Sequence, residues 1–213
     1  MKIKVCGLKY PENIQSVSDL APDFMGFIFY NKTPRYAKDL LASTLNMLPQ
    51  NIIKTGVFVN EDLSAINLLI AKYGFDAIQL HGSESPEFCA ELKGKVKVIK
   101  AFGLNENFDF KQLKAYVDNV DFFLFDTKTP IHGGSGKSFD WTLLNNYHLD
   151  VPFFLSGGIS LENLEEVKII KHPQFYGVDL NSRFEIEPGL KDIKQLEKAF
   201  EMLKTFDTNE IRS

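Results

Sequence analysis

The sequence predicts an α/β protein built as a single (β/α)8 barrel. Three observations carry that reading: eight short β-type runs recur at intervals of about 20–30 residues, stretches with helical periodicity lie between them, and no G-x-G-x-x-G turn follows the first run. Strands that alternate with helices pair in parallel, and eight such units in 213 residues suit a closed ring better than an open sheet. The segment "CGLKYPENI", where an open doubly wound sheet would carry its glycine fingerprint, argues the same way.

The first run is "IKVC" (3–6), and the "PENIQSVSDLA" after it sets Ile14, Val17 and Ala21 on one helical face. "FMGFIF" (24–29) and "IKTGVFV" (53–59) follow. Then "EDLSAINLLIAKY" aligns Leu63, Ile66, Ile70 and Tyr73 ahead of "DAIQL" (76–80). "SPEFCAELK" reads as a helix before "VKVIKAF" (96–102) and "DFFLFD" (121–126). "PFFLS" (152–156), helical "LENLEEVKII", "FYGVDL" (175–180) and a last helix from Asp192 to Leu203 complete the series. Ser85 before Pro86 reads as an N-cap with proline at the first helical position, while Asn60 and Ser160 precede two further starts. Pro188 and Gly189 suggest a short extra helix ahead of the last one. No linker or low-complexity stretch divides the chain, so one domain is expected over 1–206, with a frayed polar tail at 207–213.

With 44% hydrophobic residues the chain can bury a full core. A net charge of −4 supplies no basic field for a nucleic-acid backbone or an anionic bilayer. There is no signal-peptide pattern and no apolar run approaching the roughly 20 residues that span a membrane, so a cytoplasmic location is expected. Cys6 and Cys89 are too few for a disulfide framework, and the four histidines are scattered, so no metal site is expected.

In a barrel of this class the active site lies where strands end and βα loops begin. "SGGI" ends the seventh run, and Ser156, Gly157 and Gly158 are candidate phosphate contacts because glycines let backbone N–H groups approach an anion. Asn181, Ser182 and Arg183 follow the eighth run and would complete that cradle. Asp126 leaves the sixth run at the same rim, ahead of a long loop that reads as a lid or ligand clamp. Gly133, Gly134, Ser135 and Gly136 in that loop are further candidate phosphate contacts; "GGSGKS" lacks the nucleotide P-loop frame. Arg35, beside Pro34, reads either as a fork for a carboxylate or as half of an ion pair. Gln79 and His81 surround the end of the fourth run, where His81 either bonds a ligand or caps the loop. Cys89, in mid-helix, reads as a small buried hydrophobe. Cys6 stands at a strand end near phosphate-binding amides, where a thiol could ionise readily enough to act as a base.

Taken together, "KVCGLK", "GFIFYNKTPRY", "GVFVN", "QLHG", "FDTKTPIHGGSGKSFDW", "FFLSGGI" and "VDLNSRFEIEPGLKD" resemble the phosphoribosylanthranilate isomerase family of tryptophan biosynthesis, from about Lys2 to Lys204. The resemblance implies an Amadori rearrangement of N-(5′-phosphoribosyl)anthranilate to 1-(2-carboxyphenylamino)-1-deoxyribulose 5-phosphate, without cofactor or metal. It implies Asp126 as the general acid at the furanose ring oxygen and Cys6 as the general base at C2′. Arg35 would pair with the anthranilate carboxylate, and the two glycine- and asparagine-bearing loops would hold the phosphate. The only partner implied is this small phosphorylated substrate, bound by a monomer or a homodimer. Two departures stand out: Arg183 occupies a position where the family usually has glycine, and Lys9 replaces a hydroxyl residue. An arginine forced to positive φ at 183 would strain the phosphate-binding backbone; alternatively its guanidinium reaches the phosphate itself.

Overall fold

The computed structural model describes residues 1–127 and 140–209, with side chains through residue 204. Eight parallel strands close into a ring in chain order: β1 (Lys2–Cys6), β2 (Phe24–Ile28), β3 (Ile53–Phe58), β4 (Ala77–Leu80), β5 (Lys97–Leu104), β6 (Phe122–Thr127), β7 (Phe153–Leu155) and β8 (Phe175–Leu180). Pairing of β1 with β8, with Lys4 opposite Asp179, closes the barrel. The (β/α)8 architecture expected from the alternating runs is therefore the one observed.

Strand alternation divides the core in two. Phe24, Ala77, Ile99, Ala101, Leu124 and Phe154 point into the barrel and pack with Phe122. The rings of Phe24 and Phe154 meet edge to face at 5.1 Å, so aromatics fill the lower interior. The opposite residues of each strand, such as Ile3 and Val5 of β1, join the larger layer beneath the helices.

The helices are α1 (Pro11–Asp19), α2 (Ala42–Asn46), α3 (Leu63–Tyr73), α4 (Pro86–Leu92), α5 (Leu164–Val167) and α6 (Ile193–Asn209). Ser85 caps α4 as expected, its Oγ accepting from Phe88 N at 3.3 Å. Two other expected starts shift. The residue before α3 is Asp62, while Asn60 takes φ +51 and its Oδ1 accepts from Ser83 N at 2.7 Å, tying the loops after β3 and β4 together. Asn163 rather than Ser160 precedes α5; its Oδ1 accepts from Ser160 N and its Nδ2 donates to Gly158 O, so the polar side chain builds the loop instead of a long helix.

The short helix expected at Pro188 and Gly189 is not there. One 3-10 turn (Ser182–Phe184) leads into a hairpin of β9 (Glu185–Glu187) and β10 (Leu190–Lys191), and Gly189 supplies φ +90 at its turn. Two longer 3-10 segments, Phe110–Asn119 and Trp141–Asn146, stand in the crossovers flanking β6. Among the described residues no helix is long and apolar enough to cross a membrane.

Candidate active site

On β1, Lys2, Lys4 and Cys6 share one face, which brings Lys4 and Cys6 inside the mouth of the barrel. Room for the thiol comes from Gly26, its register partner on β2, where a Cβ would lie 2.6 Å from Sγ. Lys4 is wholly buried, and its ammonium donates to Asp179 Oδ1 at 2.9 Å. Across from it Lys191, also buried, donates to Asn181 Oδ1 and Glu185 Oε1, each at 2.8 Å. Burial lowers Lys191 to about 8 despite Glu185. For Cys6 burial is again the largest influence, pushing the thiol above its ordinary value; Lys4 and Lys191 oppose the rise and Asp179 adds to it. At this thiol desolvation outweighs the nearby cations.

Arg35 lies at the same rim, nearly buried, and gives Nε and Nη2 to Glu185 in a bidentate pair, with Nη2 to Oε2 at 2.6 Å. Of the two sequence readings of Arg35, the ion pair is the one present here. Gly7, at φ +84, lets this arginine and the strand-eight loop converge, since a Cβ there would lie 2.6 Å from Asn181 Oδ1 and 3.0 Å from Arg35 Cδ. Lys9 reaches Pro34 O at 3.0 Å and so braces the Arg35 loop.

Asp126 stands at the end of β6, three strands from β1 around the ring. Its Oδ1 accepts from Thr127 N at 2.7 Å, and its Oδ2 lies 3.5 Å from His81 Nε2. Gln79 Nε2 lies 2.9 Å from His81 Nδ1, which extends the chain to Gln79–His81–Asp126. His81 is therefore a neighbour of the candidate acid as well as a loop residue. Next to it, Gly157 takes φ +82, and a Cβ would come 2.6 Å from Asp126 Oδ1. The candidate Gly157 thereby abuts Asp126, and Ser156 Oγ reaches Asp179 Oδ2 at 3.4 Å.

Asn181 and Ser182 open the loop after β8, and exposed Arg183 sits in the 3-10 turn with no positive φ. The strain anticipated for arginine at this position does not arise. Gly133, Gly134, Ser135 and Gly136 lie outside the described residues. A cleft of about 350 Å³ between the loops after β2 and β3, lined by residues such as Tyr30 and Asn60, holds none of the candidate residues.

Residues 3–202 match the model of the N-(5′-phosphoribosyl)anthranilate isomerase family. The chain belongs to this family. The N-(5′-phosphoribosyl)anthranilate isomerase of Parabacteroides distasonis is 44% identical over 95% of this chain and 93% of its own. Among solved structures, the phosphoribosyl anthranilate isomerase of Thermus thermophilus is 27% identical, covers 96% of this chain and 99% of its own, and superposes with a TM-score of 0.85. Another family structure holds reduced 1-(o-carboxyphenylamino)-1-deoxyribulose 5-phosphate; it covers 96% of this chain and 99% of its own at 28% identity, with a TM-score of 0.79. The protein is an enzyme of tryptophan biosynthesis that isomerises N-(5′-phosphoribosyl)anthranilate.

Four buried charged residues at the barrel mouth escaped the sequence reading: Lys4, Asp179, Glu185 and Lys191. Two carried a signal. In "KIKVC" and "YGVDLN" the polar residues Lys4 and Asp179 fall on the inward alternation, where an ordinary barrel interior would be apolar. Glu185 and Lys191 lie on an irregular hairpin that has no periodicity to betray which side faces the site.

Proposed function

We propose that Asp126 and Cys6 divide the acid–base work of the isomerisation. Asp126, as the general acid, delivers a proton to the furanose ring oxygen as the C1′–O bond breaks, and the anthranilate nitrogen supplies the electron pair for a Schiff base. The Cys6 thiolate then takes the C2′ proton, leaving an enolamine that tautomerises to the ketone. Ring opening needs a donor on one side of the sugar and isomerisation an acceptor on another, so two groups at separate strand ends suit the chemistry. What supports the reading is a buried thiol among lysines at the end of β1 and a carboxylate paired with an imidazole at the end of β6.

In this reading Arg35, aligned by Glu185, meets the anthranilate carboxylate through Nη1, and Gln79 and His81 contact the substrate. Backbone N–H groups of Ser156–Gly158 and Asn181–Arg183 hold the phosphate; Gly133–Gly136 are proposed to join them. A monomer or a homodimer is proposed, and the two free cysteines suit a cytoplasmic location. The one-domain limit at residue 206 stays a proposal too.

Steady-state assays of Cys6→Ala and Asp126→Asn test the division of labour. Each is expected to lose about 10²–10⁴-fold in kcat with KM little changed. Near wild-type kcat in both variants would overturn the assignment.

A further inference from the structure

We propose that Lys4 is a positioning residue for this reaction: its ammonium, held inside the barrel by Asp179, is the counter-ion of the Cys6 thiolate. The proposal rests on Cys6 being the base and adds what makes that base attainable in a buried site.

Strand geometry comes first. Lys4 and Cys6 are two residues apart on β1 and therefore point to the same side, while the register of β1 on β8 sets Lys4 directly opposite Asp179. Both ends of the Lys4–Asp179 pair are buried, with 0% and 4% of their side chains exposed. Replacing a buried ion pair by apolar residues is often neutral or stabilising, so stability alone is a weak reason for a lysine inside a barrel. An ammonium carries three N–H donors. Asp179 Oδ1 takes one of them at 2.9 Å, and the next residue on the same buried face of the strand is Cys6.

Charge in the mouth points the same way. The groups that face Cys6 are Lys4 from β1, Asp179 from β8 and Lys191 from β10, with Arg35 and Glu185 behind Lys191. Gly26 on β2 contributes no charged group. Three cations thus stand against two carboxylates, and a thiolate at Cys6 completes the balance within the chain. Although burial would depress Lys4, Asp179 and Cys6 outweigh it and push the ammonium above its ordinary value, which suits a counter-ion better than a proton donor. The thiol proton leaves to solvent, and the C2′ proton later restores it.

Asp179 has a second contact that gives the device a link to the ligand. Its Oδ2 accepts from Ser156 Oγ at 3.4 Å, at the start of the proposed phosphate loop. The carboxylate that holds Lys4 under Cys6 therefore also touches the segment that would receive the phosphate.

The test is a pH titration of the thiolate ultraviolet absorbance, taken as the difference from Cys6→Ser, alongside kcat against pH. In Lys4→Met both the titration and the kcat limb should move to higher pH by about one unit or more, and Lys4→Arg should restore them. Lys4→Gln, a neutral polar side chain in place of the ammonium, should give the same upward shift and keeps the test open should Lys4→Met fail to fold. An unmoved titration in whichever of these neutral variants folds would overturn the proposal. Cys6→Ala separates the two readings: full turnover there refutes Cys6 as the base, whereas the absorbance titration still judges the Lys4 pairing by itself.

Discussion

Gly26 shows how one missing side chain sets up the chemistry. It pairs with Cys6 across β1 and β2, and any Cβ would lie 2.6 Å from the sulfur and 3.1 Å from the Cys6 Cβ. The sulfur cannot yield toward the strand, so Gly26→Ala should rotate or lift the thiol. A displacement of about 1 Å at a reacting atom can cost 10²-fold in rate. Gly26→Ala is therefore expected to lose about 10²-fold in kcat while the KM stays near wild type, measured by steady-state turnover. An unchanged kcat would mean that the position of the sulfur is not limiting. Cys6 was legible as a candidate from its place at a strand end, but this dependence was not. A glycine in the middle of an apolar run gives no sign of which neighbour needs its space.

At the scale of elements, the β9–β10 hairpin is where sequence and structure part. Pro188 and Gly189 are turn residues, and turn residues serve a hairpin as well as a helix start; pairing of Leu190 with Glu187 decided for the hairpin. The consequence is functional, because this hairpin carries Glu185 and Lys191 into the mouth. Burial alone would raise Glu185, yet the bonds from Arg35 and Lys191 outweigh it and hold the carboxyl below its ordinary 4.5. A carboxyl with a depressed folded value contributes stability that is full above its ordinary value and is lost as the pH falls through the lower folded one. Wild-type melting temperature should therefore fall more steeply than that of Glu185→Gln between about pH 5 and about pH 3, with the two curves converging in acid. Parallel curves would show that the carboxylate adds no such term. The helix starts teach a related lesson. Ser85 was legible because proline fixed the next residue, whereas Asn60 and Ser160 were spent on joining loops.

For the whole molecule, the ring of eight strands was legible because parallel β/α alternation leaves its rhythm in the sequence, and the strand ends then named the rim. What the rhythm could not convey is charge organised across elements distant in the chain. Lys4 and Asp179 are 175 residues apart and meet only because the barrel closes. That closure also brings the ends of β1 and β6 around one mouth, which is the central claim: the thiol of one strand removes the proton made labile by the carboxyl of another. The most direct measurement is the loss of deuterium to solvent from substrate labelled at C2′, followed in Cys6→Ala against wild type. The account predicts that the loss slows by about 10²-fold or more while the ribose ring still opens. Loss at the wild-type rate in Cys6→Ala would contradict it.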